Sequence, residues 1–416
     1  MTSAERLRSC PGFLRFWTAA TVSGFGTYVT TLAIQVLIVL TLHESATGVG
    51  LVNSARWLPY LLFGLVVGVL VDRSRRRPLL VTTDLVRGVL LIAIPLLAVT
   101  HQLTIVVLMV FMAVFGLMSL VNDAASQSFL PRLVPAGLLG PANARLDQSD
   151  AVAQTSGPAL AGGLVSLLTA PWAVLVDAAS YLVSGLLLLG IPVIEPPSRR
   201  LSVRGIGGEA AEGLRWVYRH RMLRPYALCT HGWFLCSSVA GVVLPPFALR
   251  TLDLSPFGLG VALAAGGVGG LSGSLAAVAL GARYGEGRIV IVSHLGCALA
   301  WAMVALSSGH WSGWVLFGAG ELVLGVSMGI GNANEMGYKQ TITPDHLQGR
   351  MNATMRSINR AMIVVGAPLG GVLGDAIGLR TMLWVAAVGF LIVGGTLAGT
   401  PYRDARLDPA VGNRLR

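Results

Sequence analysis

Long apolar runs, separated by short polar turns, follow one another from residue 14 to residue 399. A helix needs about 20 apolar residues to cross the hydrocarbon core of a bilayer. Runs of that length predict twelve transmembrane helices, at about 14–42, 48–71, 78–100, 103–127, 143–168, 172–194, 223–250, 256–281, 288–308, 312–337, 350–374 and 380–399. The pattern therefore predicts an all-α membrane protein.

Charge is concentrated in alternate turns. The turn between the second and third runs reads VDRSRRRP and carries four arginines between residues 73 and 77. Lys and Arg accumulate in loops on the cytoplasmic side of a membrane, so this turn is predicted to be cytoplasmic. With twelve spans, both termini are then cytoplasmic, and we expect a multi-pass protein of the inner or plasma membrane.

Composition supports the same class and excludes some partners. Hydrophobic residues make up 54% of the chain, charged residues 12%, and 52 of the 416 residues are glycine, which favours close helix packing in lipid. The net charge is +11, but the basic residues lie mostly in loops and tails, where they indicate orientation and contact with anionic lipid rather than nucleic acid. The four cysteines have no paired spacing and are expected to be core residues: Cys10, Cys229, Cys236 and Cys297.

One long connection divides the runs six and six. It predicts a cytoplasmic N-terminal tail at 1–13, a six-helix bundle at 14–194, a cytoplasmic linker at 195–222, a second bundle at 223–399 and a cytoplasmic C-terminal tail at 400–416. Within the linker, apolar Leu214, Trp216 and Val217 alternate with Arg215 and Arg219. This suggests an amphipathic helix on the inner surface with its apolar side in lipid, although a linker with no further role fits equally well.

An internal repeat supports the division into two halves. A shift of 209 residues places VPAGLLGPANA (134–144) on TPDHLQGRMNA (343–353). The same shift pairs Gly116 with Gly325, Gly157 with Gly366, Gly162 with Gly371 and Gly185 with Gly394. We therefore expect two parallel halves related by an axis along the membrane normal, with the substrate path between them.

Several motifs in order along the chain resemble the major facilitator superfamily, in particular its drug, macrolide and siderophore (enterobactin-type) exporters. They are GVLVDRSRRR, DLVRG, LPRLVPAGLLGPANAR, GPALAGG, VDAASYLVSGLLLL and GRMNATMRSINRAMIVVGAPLGG. The resemblance covers nearly the whole chain. It implies the major facilitator fold, with twelve helices in two pseudo-symmetric six-helix bundles.

The same resemblance implies secondary active transport by alternating access, usually as proton antiport, and hence multidrug efflux and antibiotic resistance. The expected partners are a small-molecule substrate, protons and membrane lipids. We expect a monomer with no cofactor beyond the proton gradient and no nucleic-acid partner. An importer or facilitator of a specific solute, or a lipid transporter, is the alternative on this fold.

The chain departs from the family pattern at three positions. Arg75 stands where the family turn usually has glycine, and Ala161 replaces a glycine in GPALAG. Related exporters often carry an acid after the glycine of the first span, where this chain reads Gly26-Thr27. If that acid couples protons in relatives, coupling here must use another residue.

A charged set at the inner end of the first bundle predicts a cytoplasmic gate. Its members are Gly68, Asp72, Arg73, Arg76 and Asp123. By the resemblance, the aspartate of the turn also caps the eleventh span, where a helix dipole favours negative charge. Such contacts would hold the inner side closed and break on opening. Simple topological charge is the alternative interpretation.

The fifth span contains Gly157, Pro158 and Gly162, which the resemblance identifies as the antiporter motif. Proline removes a backbone donor and glycine admits a neighbouring helix, so a kinked and closely packed helix is expected. The family interpretation is a seal against leakage. Helix packing alone is compatible with it.

Ionisable residues inside a bilayer are functional candidates by default. Asp84 and Arg87 are three residues apart in the third span and favour a structural pair, whereas Asp177 in the sixth span is ambiguous. Glu321 and Arg360 both fall near the bilayer midplane. We predict Glu321 as the proton carrier with Arg360 as its partner, a structural ion pair being the main alternative, and Asp84 and Asp177 as further candidates for coupling.

No nucleophile and base set, metal-ligand cluster or phosphate loop stands out, so no catalytic or metal site is predicted. Glycine pairs between Gly266 and Gly273 lie inside an apolar run and indicate helix packing rather than dinucleotide binding. The sequence predicts a transporter and not an enzyme.

Overall fold

The computed structural model describes residues 7, 9–10, 12–192 and 206–407, apart from a few side chains within helices, among them that of Asp72. Before the linker, the helices are α1 Phe13–Val36, α2 Ala46–Arg73, α3 Arg76–Val99, α4 Ile105–Leu133, α5 Leu139–Leu168 and α6 Ala170–Leu189. After it come α7 Ile206–Arg219, α8 Leu223–Pro246, α9 Pro256–Tyr284, α10 Glu286–Leu306, α11 Trp311–Ile342, α12 Asp345–Ile377 and α13 Leu379–Ala398. No strand occurs in the described ranges.

The all-α membrane fold predicted from the sequence is confirmed. Eleven helices of the described part are long and apolar enough to cross a membrane. The remaining predicted span, at about 48–71, corresponds to α2, which has 28 residues. Several helices run past the predicted bounds, for example α4 to Leu133 and α11 to Ile342, because a helix keeps its backbone hydrogen bonds beyond the apolar run that defines a span.

The internal repeat is visible in the backbone. Both α1 and α8 continue into a five-residue π-helical turn, at Leu37–Thr41 and Phe247–Thr251. Soon after each turn a residue adopts a left-handed conformation, His43 with φ 54° and Asp253 with φ 54°. These features are separated by 251 − 41 = 210 residues, so the two halves repeat in fine detail.

The chain divides into two compact units. The first unit is formed by Met1–Glu44, Ala55–Val203 and Ser255–Gly260. In it, α1 packs against α5 and α6, and α3 packs against α4 and α6. Its core includes Phe16 and Phe129, whose ring centroids lie 5.7 Å apart.

The second unit is formed by Ser45–Ser54, Arg204–Leu254 and Val261–Arg416. In it, α8 packs along α12 and α13, and α10 packs along α11 and α13. Glycines bring α9 and α11 together at backbone distance: a Cβ atom at Gly269 would meet the Leu322 carbonyl, and one at Gly325 would meet that of Gly266. The predicted packing role of the Gly266–Gly273 segment is confirmed.

The linker helix α7 docks on the second unit. Val217 is fully buried there, and Arg350 of α12 pairs with Glu212. The expectation that the apolar face of α7 lies in lipid is therefore partly wrong, because α8 and α12 cover Val217. Leu214 on the same helix remains 48% exposed. Of the predicted linker, residues 195–205 lie outside the described residues.

The segment Pro401–Leu407, which we call the C-terminal strap, folds back onto the second unit. Tyr402 is fully buried and stacks on Tyr226 with ring centroids 5.2 Å apart. The backbone N–H of Leu407 donates to Glu286 Oε2 at 2.8 Å. The predicted C-terminal tail therefore begins with a packed segment, and residues 408–416 lie outside the described residues.

Candidate functional site

The first unit contains a buried ion pair on α3. Arg87 pairs with Asp84, and both side chains are buried. Asp84 also accepts hydrogen bonds from Asn122 Nδ2 at 3.1 Å and from Ser184 Oγ at 2.6 Å. The guanidinium of Arg87 lies 4.2 Å from the ring centroid of Tyr181, a cation–π geometry. This satisfied network supports the structural interpretation of the pair.

Asp177 of α6 is fully buried beside this network. Ser180 Oγ donates to its Oδ1 at 2.8 Å. Across from it lies Gly26 of α1, where a Cβ atom would meet the Asp177 carboxylate. The next residue, Thr27, shares a hydrogen bond with the Tyr181 hydroxyl at 2.9 Å. The carboxylate that α1 lacks is thus brought to α1 by α6.

A second arginine completes the electrostatic surroundings of Asp177. Arg56 of α2 donates through Nη1 to Thr31 Oγ1 at 3.3 Å and lies 5.6 Å from the ring centroid of Phe115. Both Arg56 and Arg87 act on Asp177 by charge. The sequence analysis identified Asp177 and Arg87 as candidates but did not predict that they converge with Arg56.

Glu321 of α11 is 5% exposed. Its Oε1 is buried and has no hydrogen-bond partner among the described residues. The carboxyl lies at the contact with α9, where a Cβ atom at Gly266 would be 3.5 Å from Oε2. The backbone of α9 therefore packs against one side of the Glu321 carboxyl, and no cation compensates its charge in the described contacts.

Arg360 lies half-buried on α12. Among the described contacts, no hydrogen bond or ion pair joins it to Glu321, so the predicted pairing is not formed in this structure. The reason is helix order: α11 packs along α10, whereas α12 packs along α8. Similar depth in the membrane did not imply adjacency.

The predicted gate is only partly described. The side chain of Asp72 lies outside the described residues. Arg76 is buried and donates to the Ser74 carbonyl at 3.1 Å, and Asp123 accepts a hydrogen bond from the Tyr60 hydroxyl at 2.7 Å. A Cβ atom at Gly68 would meet nothing within 4 Å, and Arg73 ends α2. The gate remains a prediction.

The glycines of the antiporter motif make close contacts within the first unit. Gly157 packs on the side chain of Tyr28. Gly162 packs on the backbone at Pro256, and a Cβ atom at Gly260 would meet the carbonyl of Pro158. Such contacts require glycine because any side chain would separate the helices. The packing role predicted for this motif is present, and the seal stays a prediction.

The repeat reproduces this contact in the second unit. Gly371 packs on the backbone of Ala46 and Thr47, and a Cβ atom at Gly50 would meet the Ala367 carbonyl. Here an additional acid is present. Asp375 accepts hydrogen bonds from the backbone N–H groups of Ala46 at 3.1 Å and Thr47 at 2.9 Å, which caps the start of α2.

Each unit contains a cavity lined by described residues. The cavity of the first unit has a volume of about 440 Å³ and is lined by three acids, Asp123, Asp147 and Asp150. The cavity of the second unit has a volume of about 170 Å³ and lies between α8, α10 and α11. Sequence analysis missed Asp147 and Asp150, although their spacing of three residues on a helix placed them on one face. No group of three metal-ligating side chains occurs among the described residues.

Comparison with known proteins decides the family. The family model for transmembrane secretion effectors, a branch of the major facilitator superfamily, matches residues 8–406. The chain therefore belongs to this family. It is a transporter and not an enzyme, as the sequence predicted, and it is a multi-pass membrane protein.

Relatives of this transporter carry a functional name. It is 26% identical over 394 residues to the multidrug efflux pump Tap of Mycolicibacterium fortuitum, covering 90% of this chain and 92% of that protein. It is 28% identical over 375 residues to the multidrug efflux pump Tap of Mycobacterium tuberculosis, covering 86% of each chain.

Solved structures share the transporter's fold. A variant of the nucleoside transporter NupG aligns with a TM-score of 0.77 at 11% identity, over 93% of this chain and 99% of that chain. A bacterial homologue of the iron transporter ferroportin, in an inward-facing state, aligns with a TM-score of 0.73 at 14% identity, over 93% of this chain and 98% of that chain. The predicted major facilitator fold is thereby confirmed.

Proposed function

We propose that this transporter exports amphiphilic small molecules of the drug, macrolide, tetracycline or siderophore type by alternating access, driven by protons that move in the opposite direction. The named relatives are multidrug efflux pumps, which supports export. An antiporter of this kind needs a group that holds a proton in one state and releases it in another.

Glu321 is the observation on which the proton step rests. A charged carboxylate is costly where neither water nor a cation compensates it. Glu321 is buried with an unpartnered oxygen, so it is suited to carry a proton while enclosed and to lose it when a conformational change admits water. Asp84 is less suited because Arg87 already neutralises it.

Asp177 is the second candidate for the proton. It stands beside α1, where related exporters often have their acid, and Arg56 and Arg87 compensate it partly. The charged turn at residues 73–77 and Asp123 would close the cytoplasmic side.

The test uses purified transporter in proteoliposomes with an imposed pH gradient and ethidium, an amphiphilic cation, as the transported probe. Glu321→Gln is expected to lose uphill accumulation but to keep exchange of ethidium across the membrane, because the substrate path remains while the titrating group is lost. Asp404→Asn, at an exposed acid of the same unit, is the matched control. Full uphill transport by Glu321→Gln would eliminate this residue, and Asp177→Asn would be examined next.

Orientation is tested separately. We propose a cell-membrane location with both termini in the cytoplasm, from the arginines of the turn at 73–77. In a variant that lacks the native cysteines, Arg75→Cys should react with an impermeant thiol reagent only after the cells are opened. Reaction in intact cells would reverse the topology.

A further inference from the structure

The two halves carry different side chains at one equivalent place. A shift of 294 − 84 = 210 residues carries Asp84 of α3 onto His294 of α10. The structure supports this equivalence, because Gly185 packs against Asp84 and its counterpart Gly394 packs against His294. The same shift carries Arg87 onto Cys297. The ion pair of the first half is therefore replaced by a histidine and a cysteine in the second, and Cys297 is much smaller than Arg87.

A third position also differs between the halves. Between α4 and α11 the shift is the 209 residues of the glycine pairs, so Asn122 corresponds to Gly331. In the first unit, Asn122 fills the space beside α3 and donates to Thr83 Oγ1 at 2.8 Å. Its counterpart in the second unit is Gly331, which faces Ser293, the counterpart of Thr83. The place that Arg87 and Asn122 occupy in the first unit is thus vacated in the second.

The vacated place is the cavity of about 170 Å³ between α8, α10 and α11. Its lining includes Trp233, Phe234, His294, Cys297, Gly331 and Glu335. Because Arg87 is itself a cation held beside an aromatic ring, the first unit shows what chemistry the shared architecture accommodates at this position.

The lining is rich in acceptors and aromatic rings. His294 Nδ1 lies 2.8 Å from the Val290 carbonyl. A carbonyl only accepts, so Nδ1 of His294 carries a hydrogen. Trp233 packs edge-on against Phe390, which is the counterpart of Tyr181, with ring centroids 6.0 Å apart. Aromatic faces and acceptors together favour a cation with N–H donors.

Glu335 supplies the negative charge. Its Oε2 accepts a hydrogen bond from the Tyr226 hydroxyl at 2.7 Å. Lys339, one helical turn further along α11, lies with Nζ 5.5 Å from the ring centroid of Tyr226. The Tyr226 hydroxyl thus fixes the carboxylate at the edge of the cavity.

We propose that this cavity is a subsite for the protonated amine group of transported compounds. The ammonium group takes the position that the Arg87 guanidinium has in the first half, and Glu335 and the ring of Trp233 bind it. The volume fits an amine head group and leaves the rest of an amphiphile outside. The proposal builds on the proposed export of amphiphiles but needs no proton gradient.

Equilibrium binding tests it on the purified full-length protein in detergent, with radiolabelled benzylamine as the probe. Benzylamine is expected to bind saturably, and its neutral analogue benzyl alcohol to compete poorly. Glu335→Gln should weaken benzylamine binding roughly 10- to 100-fold, the usual effect of removing a charged hydrogen-bond partner. Asp404→Asn, an exposed acid of the same unit, should leave the affinity unchanged.

A variant that fills the cavity provides an independent test. Cys297→Arg copies the first half and should abolish benzylamine binding, while a monodisperse profile in size-exclusion chromatography verifies folding; Gly331→Asn serves the same purpose if Cys297→Arg misfolds. Glu321→Gln should bind benzylamine normally, so that failure of proton coupling and failure of this subsite are distinguishable. The proposal is overturned by absence of saturable binding, by equal competition from benzyl alcohol, or by unchanged affinity in Glu335→Gln.

Discussion

Asp177 on α6 lies directly against Gly26 on α1, so close that a Cβ atom at position 26 would meet its carboxylate. The contact explains why α1 has glycine at this point, since no side chain fits between the two helices. It also places an acid beside α1 although the α1 sequence contains none there.

Gly26→Ala should therefore destabilise the protein. The added methyl group would displace Asp177 and Ser180, and overpacking of this kind usually costs about 1–3 kcal/mol. SDS-induced unfolding in mixed micelles measures the change in the free energy of unfolding. Gly24→Ala is the matched control, because a Cβ atom there would meet nothing within 4 Å. Equal stability of the two variants would contradict the contact.

Arg87→Leu should be more damaging than loss of both charges of its pair. The single change leaves Asp84 buried and without its cation, which typically costs about 3–5 kcal/mol. The double variant Asp84→Asn, Arg87→Leu removes the uncompensated charge and should recover part of that loss. A double-mutant cycle on unfolding free energies measures the coupling; additive effects would show that the pair contributes nothing.

Gly325→Ala should disrupt the packing of α11 on α9. A Cβ atom at Gly325 would meet the carbonyl of Gly266, and backbone cannot give way as a flexible side chain can. We expect a loss of roughly 1–3 kcal/mol in unfolding free energy, and reduced transport because Glu321 lies one turn away. Gly318→Ala on the same helix, whose Cβ atom would meet nothing within 4 Å, should be tolerated. Indifference of Gly325→Ala would refute the close packing of α9 and α11.

His220 predicts a pH dependence outside the membrane-spanning helices. Its Nδ1 accepts hydrogen bonds from the backbone N–H groups of Met222 at 3.2 Å and Leu223 at 3.3 Å, at the start of α8. Burial lowers the pKa of His220 below its ordinary value. The neutral ring therefore stabilises the fold above pH about 6.5, and this contribution is lost as the pH falls through the lower pKa of the folded state.

The pH dependence is checked by unfolding the wild type and His220→Ala at pH about 7.5 and about 5. Wild type should be the more stable variant at the higher pH, and the difference should shrink at the lower pH as the ring gains a proton. A difference that is constant across this range would assign the effect to packing.

Helix number, order and repeat could be predicted from the sequence because each span is a long apolar run and membranes leave few other folds open. Which helices pack side by side within a bundle could not be predicted. Glu321 and Arg360 have similar depth in consecutive spans, yet α11 and α12 pack on different helices. The depth of a residue in the membrane follows from its position along the chain. The neighbour that its side chain faces depends on the rotation of each helix about its axis.

The buried networks show the same limit. The sequence identified Asp84 and Arg87 as a local pair because their spacing alone brings them together. The convergence of Asp177, Gly26 and Arg56 joins three helices and has no local pattern. The amphipathic character of α7 was visible as alternating apolar residues and arginines, but whether lipid or protein covers Val217 depends on α12.

The C-terminal strap has a consequence for biogenesis. Tyr402 completes the core around Tyr226, a residue from the very start of the second bundle. A membrane protein is inserted from its N-terminus onward, and domains generally fold in that order during synthesis. The first helix of this bundle must therefore remain in the membrane without this contact until the strap has been translated. A ribosome that stalls between Ala398 and Tyr402 would leave a product with every predicted span inserted and its second bundle unfinished.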